Sequence, residues 1–298
     1  MNKLCPICDF SNTDEIMELI DICQLCGHGK TKKSYEIDLF ETYGAVHRFN
    51  TFLEGLIKLL NYFRAFAILV RVRRLNGFIL DSGCGRGEII NIFEKIGWRG
   101  IGTELNARTA SDALNKNIKV ITSEKINEYA NANKGSLDLV TSIHNLEHIE
   151  DLNSFMETCN LLLKNNGEFV VEVPNFDSYQ SKMAGYRWIY LDVDNHRHHF
   201  TKKSLGILLS KHGFRYKFLN TWSIKFGTLG MILSILSKVS KTHNAYQFNN
   251  IKGLKFGLNL ILKSTILVLL APFGFLLEII TVIFGRGSVI KVMALKND

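Results

Sequence analysis

Four cysteines near the start of the chain have the spacing of a metal site. Cys5 and Cys8 form one Cys-x2-Cys pair, Cys23 and Cys26 form a second, and fourteen residues separate the pairs. Four converging thiolates complete the tetrahedral coordination of zinc, so the spacing predicts a zinc ribbon with a structural Zn2+ ion. Two disulfides or four free thiols are the alternatives. Disulfide frameworks are typical of secreted chains, and we see no signal peptide, so we expect a cytoplasmic protein with reduced cysteines.

A glycine-rich turn provides a second set of candidate binding residues. Gly83, Gly85 and Gly87 follow Asp81, and positions without a side chain let a ligand approach the backbone. A dinucleotide fingerprint needs glycine at position 88, where this chain has glutamate, and no Gly-Lys-Ser/Thr follows for a P-loop. Glu104 lies about twenty residues after the turn, where a carboxylate can accept both hydroxyls of a ribose. The pattern predicts a nucleoside ligand without pyrophosphate; alternatively, Glu104 only caps the following helix.

The elements that must position these residues alternate between strand and helix. Strands are predicted at 78–82, 99–103, 118–122, 137–142, 168–173, 214–219 and 288–296, and helices at 88–96, 106–115, 151–163 and 204–211. This alternation predicts an α/β fold with a parallel, doubly wound sheet. In such a sheet the ligand lies beyond the carboxyl ends of the strands, which is where the glycine turn falls.

These residues resemble the class I S-adenosylmethionine-dependent methyltransferases. The family's first motif matches 81–87, its acidic motif matches Glu104, its strand-four motif matches 137–148, and its polar pair after strand three matches 123–124 loosely. The resemblance covers about 77–220 and implies a seven-stranded Rossmann-like sheet. It also implies the cofactor S-adenosyl-L-methionine, bound by Asp81, Gly83, Gly85, Gly87, Glu104, Ser123 and His144. The segment 196–214 is similar to a bacterial subgroup, often with an N-terminal zinc ribbon and often associated with surface-glycan or lipid-linked substrates.

Three histidines are candidates for catalysis. Methyl transfer is an in-line displacement, so the enzyme chiefly aligns donor and acceptor, and a hydroxyl acceptor needs a base such as neutral imidazole. His148 falls just after the fourth strand, whereas His196 and His198 precede a helix whose predicted cap is Thr201. The alternatives are structural histidines, or a metal site formed with the nearby aspartates at 192 and 194.

An apolar insertion of about seventy residues separates the last two strands and is too long for a hairpin loop. Its apolar runs predict helices at 231–239, 255–262 and 264–284, flanked by basic residues. Because the final strand rejoins the sheet, a single membrane crossing is forbidden. We expect docking on an anionic membrane surface; a re-entrant or two-pass hairpin, a dimer interface and a helical lid are the alternatives. Another helix, predicted at 51–75, ends in arginines that either complement its dipole or face a membrane.

Composition sets the broad class of the protein. The chain has 298 residues, 46% of them hydrophobic and 21% charged, which excludes a disordered or collagenous protein. Its net charge of +8 suits an anionic membrane or nucleic acid. The predicted divisions are a zinc ribbon at 1–30, a connector and amphipathic helix at 31–76, the methyltransferase core at 77–220, the insertion at 221–287 and the last strand at 288–298.

The leading hypothesis is a methyltransferase that modifies a hydroxyl or similar group of a glycan, lipid-linked or polyprenyl-type acceptor. The protein would be peripheral on the inner face of the membrane, and a homo-oligomer is left open. A zinc-ribbon RNA methyltransferase is the first alternative. It is disfavoured because no basic patch with interleaved aromatic residues is seen and because 142–145 lacks an Asn/Asp-Pro-Pro-aromatic signature. The second alternative, a non-catalytic scaffold that binds the cofactor, is disfavoured by the intact acidic and glycine motifs.

Overall fold

The computed structural model describes residues 4–11, 13–15, 19–32, 51–122, 125–240 and 256–297. Ser123 and most of the predicted connector lie outside these described residues. The strands are β1 Thr13–Glu15, β2 Ile20–Cys23, β3 Gly29–Thr31, β4 Phe78–Ser82, β5 Arg99–Thr103, β6 Lys119–Ile121, β7 Leu137–Ile143, β8 Leu163–Pro174, β9 His198–His199, β10 Phe214–Asn220 and β11 Val289–Lys296. The helices are α1 Thr51–Val72, α2 Glu88–Glu94, α3 Ala107–Leu114, α4 Ile126–Ala132, α5 Leu152–Leu162, α6 Tyr179–Ala184, α7 Lys202–Lys211, α8 Leu229–Ser240 and α9 Phe256–Ile283.

Seven strands form the main sheet, in the order β10-β11-β8-β7-β4-β5-β6. β4 pairs in parallel with both β5 and β7, and β5 pairs in parallel with β6. β4 and β7 are buried over nearly their whole length, as expected for central strands covered on both faces. The predicted α/β fold is confirmed, and β11 lies beside β10 as predicted.

A smaller sheet has the order β1-β2-β3-β9. Its first three strands come from the cysteine-rich segment, and antiparallel pairing joins β3 to β9, with Gly29 opposite His199 and Lys30 opposite His198. Two of the predicted histidines therefore lie in or next to a strand that extends the ribbon. This pairing is not predictable from the spacing of the cysteines and histidines.

The chain divides into two compact units. The unit named here the ribbon unit comprises Met1–Ser34, Glu172–Leu208 and Leu219–Lys291. The unit named the sheet unit comprises Tyr35–Val171, Leu209–Phe218 and Val292–Asp298. The glycine turn belongs to the sheet unit, and the four cysteines belong to the ribbon unit.

Helix α1 packs against the core of the sheet unit. Ala65, Ile68 and Val72 lie on one face of the helix and join a buried cluster that includes Ile79 and Phe93. The opposite face carries large exposed side chains, among them Leu59, Tyr62, Phe63, Phe66 and Val70. The helix predicted at 51–75 is confirmed, with an earlier end at Val72.

The insertion differs from its prediction in one respect. The helices predicted separately at 255–262 and 264–284 are a single helix, α9, of 28 residues, and Pro272 lies inside it. No glycine or proline separates the two apolar runs, so nothing in the local sequence ends the helix between them. Within the described residues, no helix is both long enough and apolar enough to cross a membrane.

Candidate cofactor site and metal centre

The glycine turn between β4 and α2 has three residues in the left-handed region. The φ angles of Gly83, Gly85 and Gly87 are 72°, 53° and 70°. A Cβ atom added to Gly83 would lie 2.5 Å from the Asn145 side chain, and one added to Gly87 would lie 2.3 Å from Ile118. A Cβ atom on Gly85 would meet nothing closer than 4.0 Å. Gly83 and Gly87 are therefore required by packing, whereas Gly85 borders the space where a ligand can approach the backbone.

Glu104 fastens this turn from the end of β5. Its Oε2 accepts a 2.9 Å hydrogen bond from the Gly85 backbone N–H, and its Oε1 accepts a 2.8 Å bond from the Asn106 N–H. The cap of helix α3 is Asn106, whose Oδ1 accepts from the Thr109 N–H at 3.0 Å. The alternative that Glu104 only caps this helix is therefore wrong. Its carboxylate lies beside the open position at Gly85, and each oxygen keeps acceptor capacity for a hydroxyl.

Asp81 is the buried acid of the site. The Thr141 hydroxyl donates a 2.6 Å hydrogen bond to its Oδ1, and the side chain is almost wholly buried. The pKa of Asp81 is raised to about 6, mainly by burial and less by the charge of Glu104, against the opposing effects of the Thr141 hydrogen bond and the Arg64 cation. The site thus contains a carboxyl whose charge changes close to neutral pH.

Polar residues that the sequence analysis misses complete the network. The Asn145 side-chain amide donates to Ser82 Oγ at 3.1 Å, and Thr103 Oγ1 donates to the same oxygen at 3.3 Å. The Gly83 N–H donates to Thr103 Oγ1 at 3.4 Å. The available signal is positional, because Asn145 and Thr103 stand at or just after the carboxyl ends of the two parallel strands that flank β4.

His144 and His148 both lie in the sheet unit, just after β7. His144 has a positive φ of 51°, and its Nδ1 lies 3.5 Å from the buried carboxylate of Glu147. His148 ends a short 3-10 turn that begins at Leu146. A positive φ is uncommon outside glycine and often marks a strained functional position. The chain therefore bends at His144, at the same end of the sheet as the glycine turn.

His196 and His198 lie in the ribbon unit and contact the ribbon. The Thr31 hydroxyl donates to the His196 carbonyl at 2.7 Å, and His198 Nδ1 lies 3.1 Å from His28 Nε2. Both histidine side chains are buried. The predicted Thr201 cap is confirmed, because its Oγ1 accepts from the Ser204 N–H at 3.1 Å, and it also donates to the Cys26 carbonyl at 2.8 Å. The segment 196–201 therefore helps to hold the ribbon in place.

The four predicted metal ligands converge. The Sγ atoms of Cys5 and Cys26 are 3.7 Å apart, those of Cys8 and Cys23 are 3.5 Å apart, and all four lie within 4.8 Å of one another. A tetrahedral zinc with Zn–S bonds of about 2.3 Å places its sulfurs about 3.8 Å apart. A disulfide would need about 2.05 Å, so the alternative of two disulfides does not fit. The donor set and its spacing fit a zinc ion with four thiolates.

Hydrogen bonds hold the second knuckle of this cluster in its turn. The Gly27 N–H donates to the Cys23 carbonyl at 2.8 Å, and the Cys23 N–H donates to the His28 carbonyl at 2.9 Å. Gly27 has a φ of 72°, which a side chain would disfavour. The hydrogen bond from Cys26 lowers the pKa of Cys5, so the cluster favours a thiolate at that sulfur.

Comparisons with known proteins agree with this geometry. A family model described as "Methyltransferase domain" matches residues 49–217. The chain is 27% identical over 161 residues to the ubiquinone biosynthesis O-methyltransferase of Sodalis glossinidius, covering 50% of this chain and 65% of that relative. The alignment thus spans less than two thirds of the relative's length.

Solved structures share the fold. A SAM-dependent methyltransferase from Archaeoglobus fulgidus superimposes with a TM-score of 0.52 at 21% identity, covering 80% of this chain and 94% of that chain. A putative sarcosine dimethylglycine methyltransferase from Galdieria sulphuraria gives a TM-score of 0.51 at 14% identity, covering 80% and 86%. At these identities the likeness concerns the fold alone.

Proposed function

Since the chain belongs to the methyltransferase-domain family, we propose that it transfers a methyl group from S-adenosyl-L-methionine to an acceptor oxygen. The observation that carries this proposal is the pairing of an open backbone position at Gly85 with the carboxylate of Glu104, joined by a 2.9 Å hydrogen bond. In this arrangement the glycine turn would hold the amino-acid part of the cofactor, Asp81 its ammonium group through water or the backbone, and Glu104 its ribose. When bound, the cofactor supplies an electrophilic methyl group on a sulfonium.

The protein's own part in the reaction is alignment and removal of a proton. We propose His148 and His196 as candidate bases that accept the proton of an acceptor hydroxyl, because imidazole is neutral and basic near pH 7. His144 and Ser123 stay candidate cofactor contacts. His198 stays the third candidate for catalysis. Its Nδ1 already lies beside His28, which favours a role in holding the ribbon.

The pH dependence of cofactor affinity tests the role given to Asp81. Burial raises the pKa of this carboxyl to about 6, so it becomes neutral below that pH and loses its attraction for the cofactor ammonium. We expect the dissociation constant for S-adenosylmethionine, measured by calorimetry, to be flat above about pH 7 and to increase by up to about tenfold per unit below pH 6. Asp81→Asn should bind more weakly at neutral pH and lack this dependence.

Stability should respond in the opposite sense, which separates lost binding from acid unfolding. The folded-state pKa of Asp81 lies above the ordinary value of 3.8, so folding favours its protonated form. The contribution of this group to the free energy of unfolding therefore increases as pH falls from about 6 to about 4. A wild-type affinity that does not change across this range, in a folded sample, would contradict an electrostatic attraction between the Asp81 carboxylate and the cofactor ammonium.

We propose that the acceptor is a hydroxyl or similar group of a lipid-linked, polyprenyl-type or glycan molecule, met at the inner membrane surface. The relative from Sodalis glossinidius, named a ubiquinone biosynthesis O-methyltransferase, supports an oxygen acceptor. With cofactor carrying a tritiated methyl group, we expect label in organic-extractable or glycan pools from bacterial cells rather than in RNA. Label in RNA would instead favour an RNA methyltransferase. No label in any pool, with cofactor binding intact, would favour a non-catalytic scaffold.

A further inference from the structure

Helix α9 is inverted between residues 269 and 284, because its two polar side chains point inward and six of its large apolar side chains point outward. The buried positions include Gly274, Glu278 and Thr281, which follow a spacing of four and three residues along one face. The opposite face carries a stripe of exposed side chains, named here the outer stripe: Leu269, Phe273, Leu276, Ile280, Ile283 and Phe284. Leu269 is 72% exposed and Ile283 is 75% exposed. A run of six large apolar side chains in water is unfavourable and marks a surface that is covered in use.

Contacts within the ribbon unit fix which face of α9 points inward. Glu278 Oε1 accepts from the Ser288 N–H at 3.0 Å, and its Oε2 accepts from the Gln180 amide at 3.1 Å. A Cβ atom on Gly227 would lie 2.5 Å from Glu278 Cγ, and one on Gly274 would lie 2.7 Å from Ile232. Rotating the helix to hide its apolar face would leave the buried Glu278 carboxylate without these donors. The outer stripe is therefore a fixed feature of the fold.

Cations and an aromatic side chain lie at the C-terminal end of the outer stripe. The Arg286 guanidinium lies 5.7 Å from the centroid of the Tyr179 ring, which is partly exposed. The Lys202 ammonium lies beside Gly285, 2.8 Å from where a Cβ atom would be. The segment 269–284 contains one acidic residue, Glu278, and its side chain is buried. The outer stripe therefore carries no negative charge. An apolar surface bordered by cations and tyrosine matches the interfacial region of an anionic bilayer.

We propose that the outer stripe inserts into the headgroup and upper acyl region of an anionic lipid bilayer, with Arg286 and Lys202 on lipid phosphates. The helix lies in the plane of the surface. This inference rests on the proposed function in one respect, since a membrane-bound acceptor gives the docking its purpose. The outer stripe and its bordering cations exist whether or not the cofactor site is functional.

Vesicle flotation of the full chain tests the proposal. We expect the protein to bind phosphatidylcholine vesicles that contain about a quarter phosphatidylglycerol, and to bind pure phosphatidylcholine and high-salt samples less. The variant F273E/L276E should bind the anionic vesicles at least tenfold more weakly. The control F63E/F66E makes the same two changes on exposed positions of helix α1, and it should bind like the wild type. Equal loss in both variants would overturn the assignment to α9.

Further outcomes decide between occupants. If F273E/L276E does not fold, as judged by circular dichroism, the variant K202Q/R286Q should lose the preference for anionic vesicles, and retention would overturn the proposal. The wild type could instead fail to bind vesicles and sediment as a dimer that F273E/L276E dissociates. That result would assign the outer stripe to a second copy of the chain and would also overturn the proposal. Titration with S-adenosylmethionine on the same samples separates membrane docking from the proposed function. Vesicle binding without cofactor binding would contradict the proposed function and leave membrane docking supported.

Discussion

Replacement of Gly85 by arginine abolishes binding of S-adenosylmethionine, with an expected loss of affinity of at least about a hundredfold, or about 2.7 kcal/mol. The reason is local, because a Cβ atom at this position points into space with no atom nearer than 4.0 Å. The arginine side chain would fill that space and place its cation beside Glu104. A residue other than glycine at a φ of 53° costs about 1–2 kcal/mol, which a protein of this size tolerates. Calorimetric titration of the purified variant measures the loss.

Gly135→Arg is the matched control for this experiment. Gly135 also has a positive φ, of 58°, and no atom lies within 4 Å of a Cβ atom built on it. It precedes β7 at the opposite end of that strand from the glycine turn. The control variant should lose the same amount of stability from a side chain at positive φ, and it should bind the cofactor like the wild type. Undiminished binding by a folded Gly85→Arg protein would remove this turn from the cofactor site.

Loss of the cysteine cluster has the second large effect. We propose one zinc ion per chain and expect none in the double variant Cys5→Ser/Cys26→Ser, because serine does not replace a thiolate ligand. Structural zinc supplies apparent free energies of about 10–16 kcal/mol in zinc-finger peptides, so losing part of this should lower the unfolding midpoint by about 10 °C or more. Metal analysis and thermal unfolding on the same sample test both parts.

Cys159→Ser provides the control. Cys159 is a buried free thiol in helix α5 of the sheet unit, outside the metal cluster. The variant should keep its zinc and lose only a modest amount of stability. Hydrogen exchange gives a further readout, since amides that pair β3 with β9 should lose protection in the double cysteine variant but not in the control. A wild-type protein that contains no zinc, yet unfolds at the same temperature after treatment with a chelator, would refute the metal centre.

Much of the sheet unit is predictable because its signals are local. The bounds of β4 and β5 agree with the prediction, since each is a short run between glycine or polar breaks. Asn106 and Asp151 each cap a helix, and such caps stand directly before the apolar pattern they start. Helix α4 is missed because seven residues, mostly polar or alanine, carry too little apolar periodicity.

Long-range and polar features escape sequence reasoning. The pairing of Lys30 with His198 joins residues far apart in the chain through backbone groups, which no side-chain pattern encodes. The two hydrogen bonds that Glu104 accepts from the backbone amides of Gly85 and Asn106 are likewise not encoded by any side-chain pattern. Sequence reasoning does not predict which face of α9 is exposed, because apolar side chains are expected to be buried. Here the buried Glu278 carboxylate and the close-packed Gly227 and Gly274 decide which face points inward.

The position of β11 sets the order of events when the protein is made. This strand lies between β8 and β10, yet it is synthesised after every other strand of the sheet. Until it emerges from the ribosome, the facing edges of β8 and β10 have no partner, and unpaired edges are templates for aggregation. Because this closing strand pairs with segments far away in the chain, we expect slow folding and a nascent chain that is prone to aggregate.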